Sequence, residues 1–96
     1  MTFKPLKIGI IGGGQLGMYL AKAAKKQNIQ PFIYSNTKDA PALKYAHKIF
    51  YGDFDDKKKL DNFFSKVDLI TYEFESISTK SIAGIEKKNK IYPPIN

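Results

Sequence analysis

The sequence predicts an α/β chain, a three-layer parallel sheet of about five strands joined by helical crossovers. Three observations predict it. Short apolar runs alternate with segments whose apolar residues recur at helical spacing. The first run, Leu6 to Ile11, is nearly continuous, as in a strand covered on both faces. A glycine cluster, Gly12-Gly13-Gly14, separates that run from the first helical segment.

The elements follow in order. Leu6 to Ile11 reads as the first strand and Gln15 to Gln27 as the first helix. Leu16, Leu20, Ala23 and Ala24 share one predicted face of that helix, while Lys22, Lys25 and Lys26 fall mostly outside it. Asn28 suits the cap position after it. Gln30 to Ser35 is a second strand, with Pro31 near its start, where proline is tolerated. Asp39 is placed to cap a short helix over Ala40 to Ala46, with Pro41 in its first turn. Lys48 to Tyr51 is a short third strand. Asp55 or Asp56 opens a helix to Ser65, with Leu60, Phe63, Phe64 and Val67 at helical spacing. Asp68 to Tyr72 is a fourth strand. Ser78 caps a helix to about Lys87, and Lys90 to Tyr92 is a fifth strand stopped by Pro93-Pro94. The sequence ends directly after that strand, at Asn96, which is expected of a piece cut from a longer protein.

With 96 residues the chain is expected to form one domain with a small core. It has no cysteine and one histidine, His47, so disulfides, thiolate chemistry and a histidine metal cluster are excluded. No stretch approaches the roughly 18 apolar residues of a membrane span. No signal-peptide pattern is seen, and a cytoplasmic location is expected. The net charge is +7, yet every basic residue is lysine. Arginine, the residue suited to bidentate phosphate and guanine recognition, is missing. The run Lys57-Lys58-Lys59 therefore reads as a solvated helix face, and neither a nucleic-acid nor a membrane partner is expected.

The glycine loop carries the first functional signal. Gly12, Gly14 and Gly17 fit G-x-G-x-x-G between a strand and a helix, which is the Rossmann-like turn. Gly12 permits a tight turn, Gly14 lets another group approach the backbone, and Gly17 allows close packing of helix on strand. The helix N-terminus then offers amides and a positive dipole to an anion. A purely structural turn is the alternative. A nicotinamide dinucleotide site also needs an acid at the end of the second strand, or an arginine for the 2′-phosphate. Tyr34-Ser35-Asn36-Thr37 stands there, and Asp39 comes several residues late.

The second signal is Thr71-Tyr72-Glu73-Phe74-Glu75-Ser76 at the carboxyl end of the fourth strand. In extended backbone Glu73 and Glu75 share one side and Tyr72 and Phe74 the other. Carboxylates there accept hydrogen bonds from amines or sugar hydroxyls; the alternative is a helix cap and a solvated side chain. His47 reads as a surface or packing residue. Asp53, Asp55 and Asp56 read as a turn and helix cap rather than a metal cluster.

Four stretches together, Ile10 to Gly17, Asp39-Ala40-Pro41-Ala42, Gly52 to Asp56 and Thr71 to Glu75, resemble the 5-(carboxyamino)imidazole ribonucleotide synthase family, the ATPase subunit of phosphoribosylaminoimidazole carboxylase. The likeness covers all of this chain, residues 1–96, as a single N-terminal pre-ATP-grasp domain, with the ATP-grasp and C-terminal domains absent. The Ser35 to Asp39 turn departs from the aspartate-rich turn common in that family. The resemblance implies an ATP-dependent ligase of purine biosynthesis. ATP phosphorylates bicarbonate, and the carboxyl group passes to the exocyclic amine of aminoimidazole ribonucleotide. It implies ATP and Mg2+ held mainly outside this chain, a fragment inactive by itself, and a homodimer as one assembly. It places Gly14, Gln15 and Leu16 in the ribonucleotide pocket, shaped by Gly12, Gly13 and Gly17. Tyr72, Glu73 and Glu75 face that pocket from the fourth strand. No general base, nucleophile or metal ligand is implied within the chain. A nicotinamide-dependent oxidoreductase domain and a non-catalytic nucleotide-sensing module are the competing readings.

Overall fold

A computed structural model describes residues 4–72. Four strands, β1 (Lys7–Ile11), β2 (Gln30–Ser35), β3 (Lys48–Tyr51) and β4 (Leu69–Tyr72), form one sheet in the order β3-β2-β1-β4. Every pairing is parallel, with Ile10 opposite Ile33 and Thr71. The connections are α1 (Gln15–Lys26), a short 3-10 helix η1 (Pro41–Tyr45), and α2 (Lys57–Phe64). The expected fifth strand and the helix before it lie outside the described residues.

Alternation along the strands sorts side chains into two cores. Ile11, Phe32, Tyr34 and Ile70 face α2 and meet Leu60, Phe63, Phe64 and Val67. Ile10 and Ile33 face the other way, onto Ala21 of α1 and Ala42 of η1. The α2 layer is aromatic: Phe63 lies 5.5 Å from Tyr34 and 5.2 Å, edge-on, from Phe50. Gly9 makes this closeness possible, because a methyl there would come within 2.9 Å of the Phe63 ring.

Several expected boundaries shift. β1 begins at Lys7, and Leu6 is exposed. α1 buries Gly17, Ala21 and Ala24, whereas Leu16 and Ala23 are exposed. The inward face is thus set by the smallest side chains, which let helix and sheet approach. Asn28 takes φ 59 just beyond α1, the left-handed cap conformation. Ala40, not Asp39, precedes η1, and no side chain caps it. Asp56 does cap α2, accepting the Lys59 N–H at 3.1 Å. His47 stacks on Phe32 with ring centres 5.6 Å apart, a packing role as expected.

Candidate functional site

In the order β3-β2-β1-β4 the chain runs outward from β1 on one side and then returns to β1's other side. That reversal opens a crevice at the carboxyl ends of β1 and β4, where ligands of open parallel sheets bind. β1 feeds directly into the glycine loop there. Tyr72 ends β4 opposite Ile11, the last residue of β1. The strand end that feeds the glycine loop and the first two residues of the Thr71 to Ser76 segment therefore lie side by side at the reversal. Glu73 and Glu75 follow Tyr72 in the chain and lie outside the described residues.

The loop is built residue by residue. Gly12 continues the sheet ladder by donating its N–H to the Tyr34 carbonyl at 2.8 Å. It then turns the chain with φ 111, a conformation that needs glycine. Gly13 is buried, and its carbonyl accepts the Ala42 N–H at 2.8 Å. Gly14 is the N-cap of α1, in extended backbone, and its carbonyl accepts the Met18 N–H at 2.9 Å. A glycine cap brings no side chain to the first-turn amides, and that turn holds no acid. The positive end of the α1 dipole is thus uncompensated by any side chain of its own first turn. Gln15 and Leu16 begin α1 as exposed residues, and Gly17 is buried behind them. Leu16 is 54% exposed and Tyr19, one turn on, 57%. Large apolar groups thus stand beside the loop.

Sequence reasoning missed the wall on the β2 side. A methyl on Gly13 would lie 2.5 Å from the Ala40 Cβ and 3.1 Å from the Ser35 Oγ. Ser35 is buried, donates its hydroxyl to the Thr37 carbonyl at 2.8 Å, and accepts the Thr37 N–H at 3.1 Å. The one available signal was the pair of small residues around Pro41, Ala40 and Ala42, in a chain that needed a close neighbour for a buried glycine.

Beyond β3, the segment Gly52 to Asp56 packs on Tyr34. The Tyr34 hydroxyl donates to the Asp53 carbonyl at 2.6 Å, and a side chain at Gly52 would collide with that hydroxyl. Burial pushes the phenol up to about 12, helped by the carboxylates of Asp56, Asp53 and Asp55. These acids act as turn and cap, as expected. Among the described residues no three His, Asp or Glu side chains lie together as a metal site. Among the same residues no helix is long and apolar enough to cross a membrane.

Residues 6–96 match the family described as Ribonucleotide synthetase preATP-grasp domain. The N5-carboxyaminoimidazole ribonucleotide synthase of Staphylococcus aureus (strain MSSA476) is 39% identical over 95 residues, covering 95% of this chain and 25% of its own. The crystal structure of the S. aureus N5-carboxyaminoimidazole synthetase complexed with ADP superposes with TM-score 0.84 and 37% identity, over 95% of this chain and 25% of that one. The Thermotoga maritima N5-carboxyaminoimidazole ribonucleotide synthetase gives TM-score 0.85 and 31% identity, over 92% and 25%. The chain spans about a quarter of the length of these relatives. With a parallel sheet reversing at β1, a glycine loop on that reversal, and a family match over nearly every residue, the chain belongs to the ribonucleotide synthetase pre-ATP-grasp domain family.

Proposed function

We propose that this chain is the N-terminal, ribonucleotide-side domain of an ATP-dependent carboxylating ligase of de novo purine biosynthesis. The full-length enzyme would convert aminoimidazole ribonucleotide, bicarbonate and ATP to 5-(carboxyamino)imidazole ribonucleotide, releasing ADP and phosphate. The observation that carries this reading is the glycine loop meeting the end of β4 at the strand reversal, in a chain 39% identical to such a synthase across nearly all its length.

In this assignment the amides around Gly14 and the α1 N-terminus meet the anionic end of the ribonucleotide. Gln15, with one donor group and one acceptor, and Leu16 line the pocket. Tyr72, Glu73 and Glu75 are assigned to the same pocket, the carboxylates as acceptors of hydrogen bonds from the amine or ribose hydroxyls. Gly12, Gly13 and Gly17 shape the loop. These are positioning roles, and no proton transfer or covalent step is assigned to this chain. ATP is a substrate held, with Mg2+, by the rest of the protein, in keeping with the ADP in the S. aureus relative's structure. The whole protein is proposed to be cytoplasmic and homodimeric, and to act on small molecules rather than nucleic acid or membrane. The dinucleotide alternative is disfavoured because β2 ends in a Ser35–Thr37 turn closed on itself, without an acid.

The test is ADP release by the full-length protein, with aminoimidazole ribonucleotide and bicarbonate each omitted in turn. Release that needs both is expected. Release indifferent to the ribonucleotide, or hydride transfer to a nicotinamide dinucleotide, would sink the assignment.

A further inference from the structure

On its β2 side the glycine loop is held by elements whose role has no counterpart in the motif itself. Gly12 is tied to Tyr34 of β2 and Gly13 to Ala42 of η1, each at 2.8 Å. No room for a carbon atom exists between Gly13 and Ala40, since a methyl on Gly13 would sit 2.5 Å from the Ala40 Cβ. Ser35 closes the gap beneath, its hydroxyl committed to both the N–H and the carbonyl of Thr37. A trans peptide is planar, with its C=O and N–H pointing in opposite directions. Drawing the Gly13 carbonyl onto Ala42 therefore turns the Gly14 N–H away from η1.

We propose that η1 is a positioning and size-limiting wall of the ribonucleotide pocket, which fixes the Gly13–Gly14 peptide and admits a mononucleotide from the β4 side only. The proposal rests on the ribonucleotide assignment above. A dinucleotide spreads across the reversal and rests a ribose on an acid at the end of β2. Here Ala40 packs directly on Gly13 at the β2 side of the loop, and the Ser35–Thr37 turn closes on itself, so the acid that would hold a second ribose is replaced by a small side chain and a self-satisfied turn. Ala40, Ala42 and Ser35 act through the glycine backbone and are positioning residues.

The test is a double-variant cycle in the full-length enzyme. Gly13→Ala must push η1 off the loop. It is expected to raise KM for aminoimidazole ribonucleotide about tenfold or more while KM for ATP stays within about twofold. Adding Ala40→Gly removes the colliding methyl, so the pair Gly13→Ala/Ala40→Gly is expected to recover much of that loss. Recovery is partial, because Ser35 Oγ would still lie 3.1 Å from the new methyl. If Gly13→Ala does not fold, Ser35→Ala loosens the same wall more gently. It is expected to raise the ribonucleotide KM a few-fold and leave the ATP KM unchanged. An unaltered ribonucleotide KM in a folded variant, equal changes for both substrates, no recovery in the pair, or tight binding of NAD by the unmodified enzyme would each overturn the proposal. Absence of ribonucleotide-dependent ADP release in the unmodified enzyme would instead sink the functional assignment. The wall is then read alone by hydrogen exchange: Ala42 amide protection should fall in Gly13→Ala and return in the pair.

Discussion

Tyr34 shows how much a single side chain carries in this fold. It lies fully buried in β2, between Phe54 and Phe63, with its hydroxyl satisfied by the Asp53 carbonyl. Its pKa rises from 10.0 to about 12, so the folded state keeps the phenol neutral after the unfolded chain has ionised it. The contribution is therefore present in full below pH 10 and is lost as pH climbs from 10 to 12. At about 1.4 kcal/mol per pKa unit the loss is roughly 2–3 kcal/mol. Urea denaturation across that range should show a steeper fall for the native protein than for Tyr34→Phe, and equal slopes would show that the phenol ionises freely. Glu75 supports a prediction about the pocket. In the full-length enzyme Glu75→Ala is expected to weaken aminoimidazole ribonucleotide far more than ATP. Loss of one charge-assisted hydrogen bond corresponds to about 1.5–3 kcal/mol, or roughly ten- to a hundredfold. Steady-state kinetics with each substrate varied separately would measure it, and an unchanged response to the ribonucleotide would leave Glu75 as a helix cap or solvated side chain.

At the scale of elements, α2 was the most legible in the sequence. Leu60, Phe63, Phe64 and Val67 follow helical spacing, and all four are buried against the sheet. Its start was legible too, since an aspartate before three lysines has few roles other than a cap. Asp56→Ala should cost about 1 kcal/mol, read as a lower urea midpoint with an unchanged slope. A null effect would mean that solvent or Asp55 satisfies the Lys59 amide equally well. α1 was less legible. Counting large apolar residues put Leu16 inward, but Gly17, Ala21 and Ala24 are the buried ones. Tight helix–sheet packing selects small side chains, and hydrophobic size alone does not reveal that choice. η1 was visible only as a short helix. That it closes one side of the glycine loop is a tertiary fact, set by the hydrogen bond between Ala42 and Gly13 across the loop.

For the molecule as a whole, the parallel architecture was readable because strand and helix patterns alternate, and the glycine loop fixed which end of the sheet to inspect. The chain spans about a quarter of the length of the synthases it matches, and the activity proposed above is that of a full-length enzyme. The purified 96-residue chain is expected to show no bicarbonate-dependent ADP release. Measurable turnover would place ATP chemistry within this domain and overturn the assignment. The strand order has a last consequence, for the sequence of folding events. β1 joins β2 through partners roughly two dozen positions apart, while Lys7 meets Asp68 across 61 positions. Closing the longer loop costs about 0.9 kcal/mol more chain entropy. On a ribosome, β1, α1, β2 and η1 can settle as soon as they emerge, with the glycine turn already shaped. The cleft gains its second bank only when β4 arrives, so a nascent chain passes through a stage with a finished glycine turn and an open, unpaired β1 edge beside it.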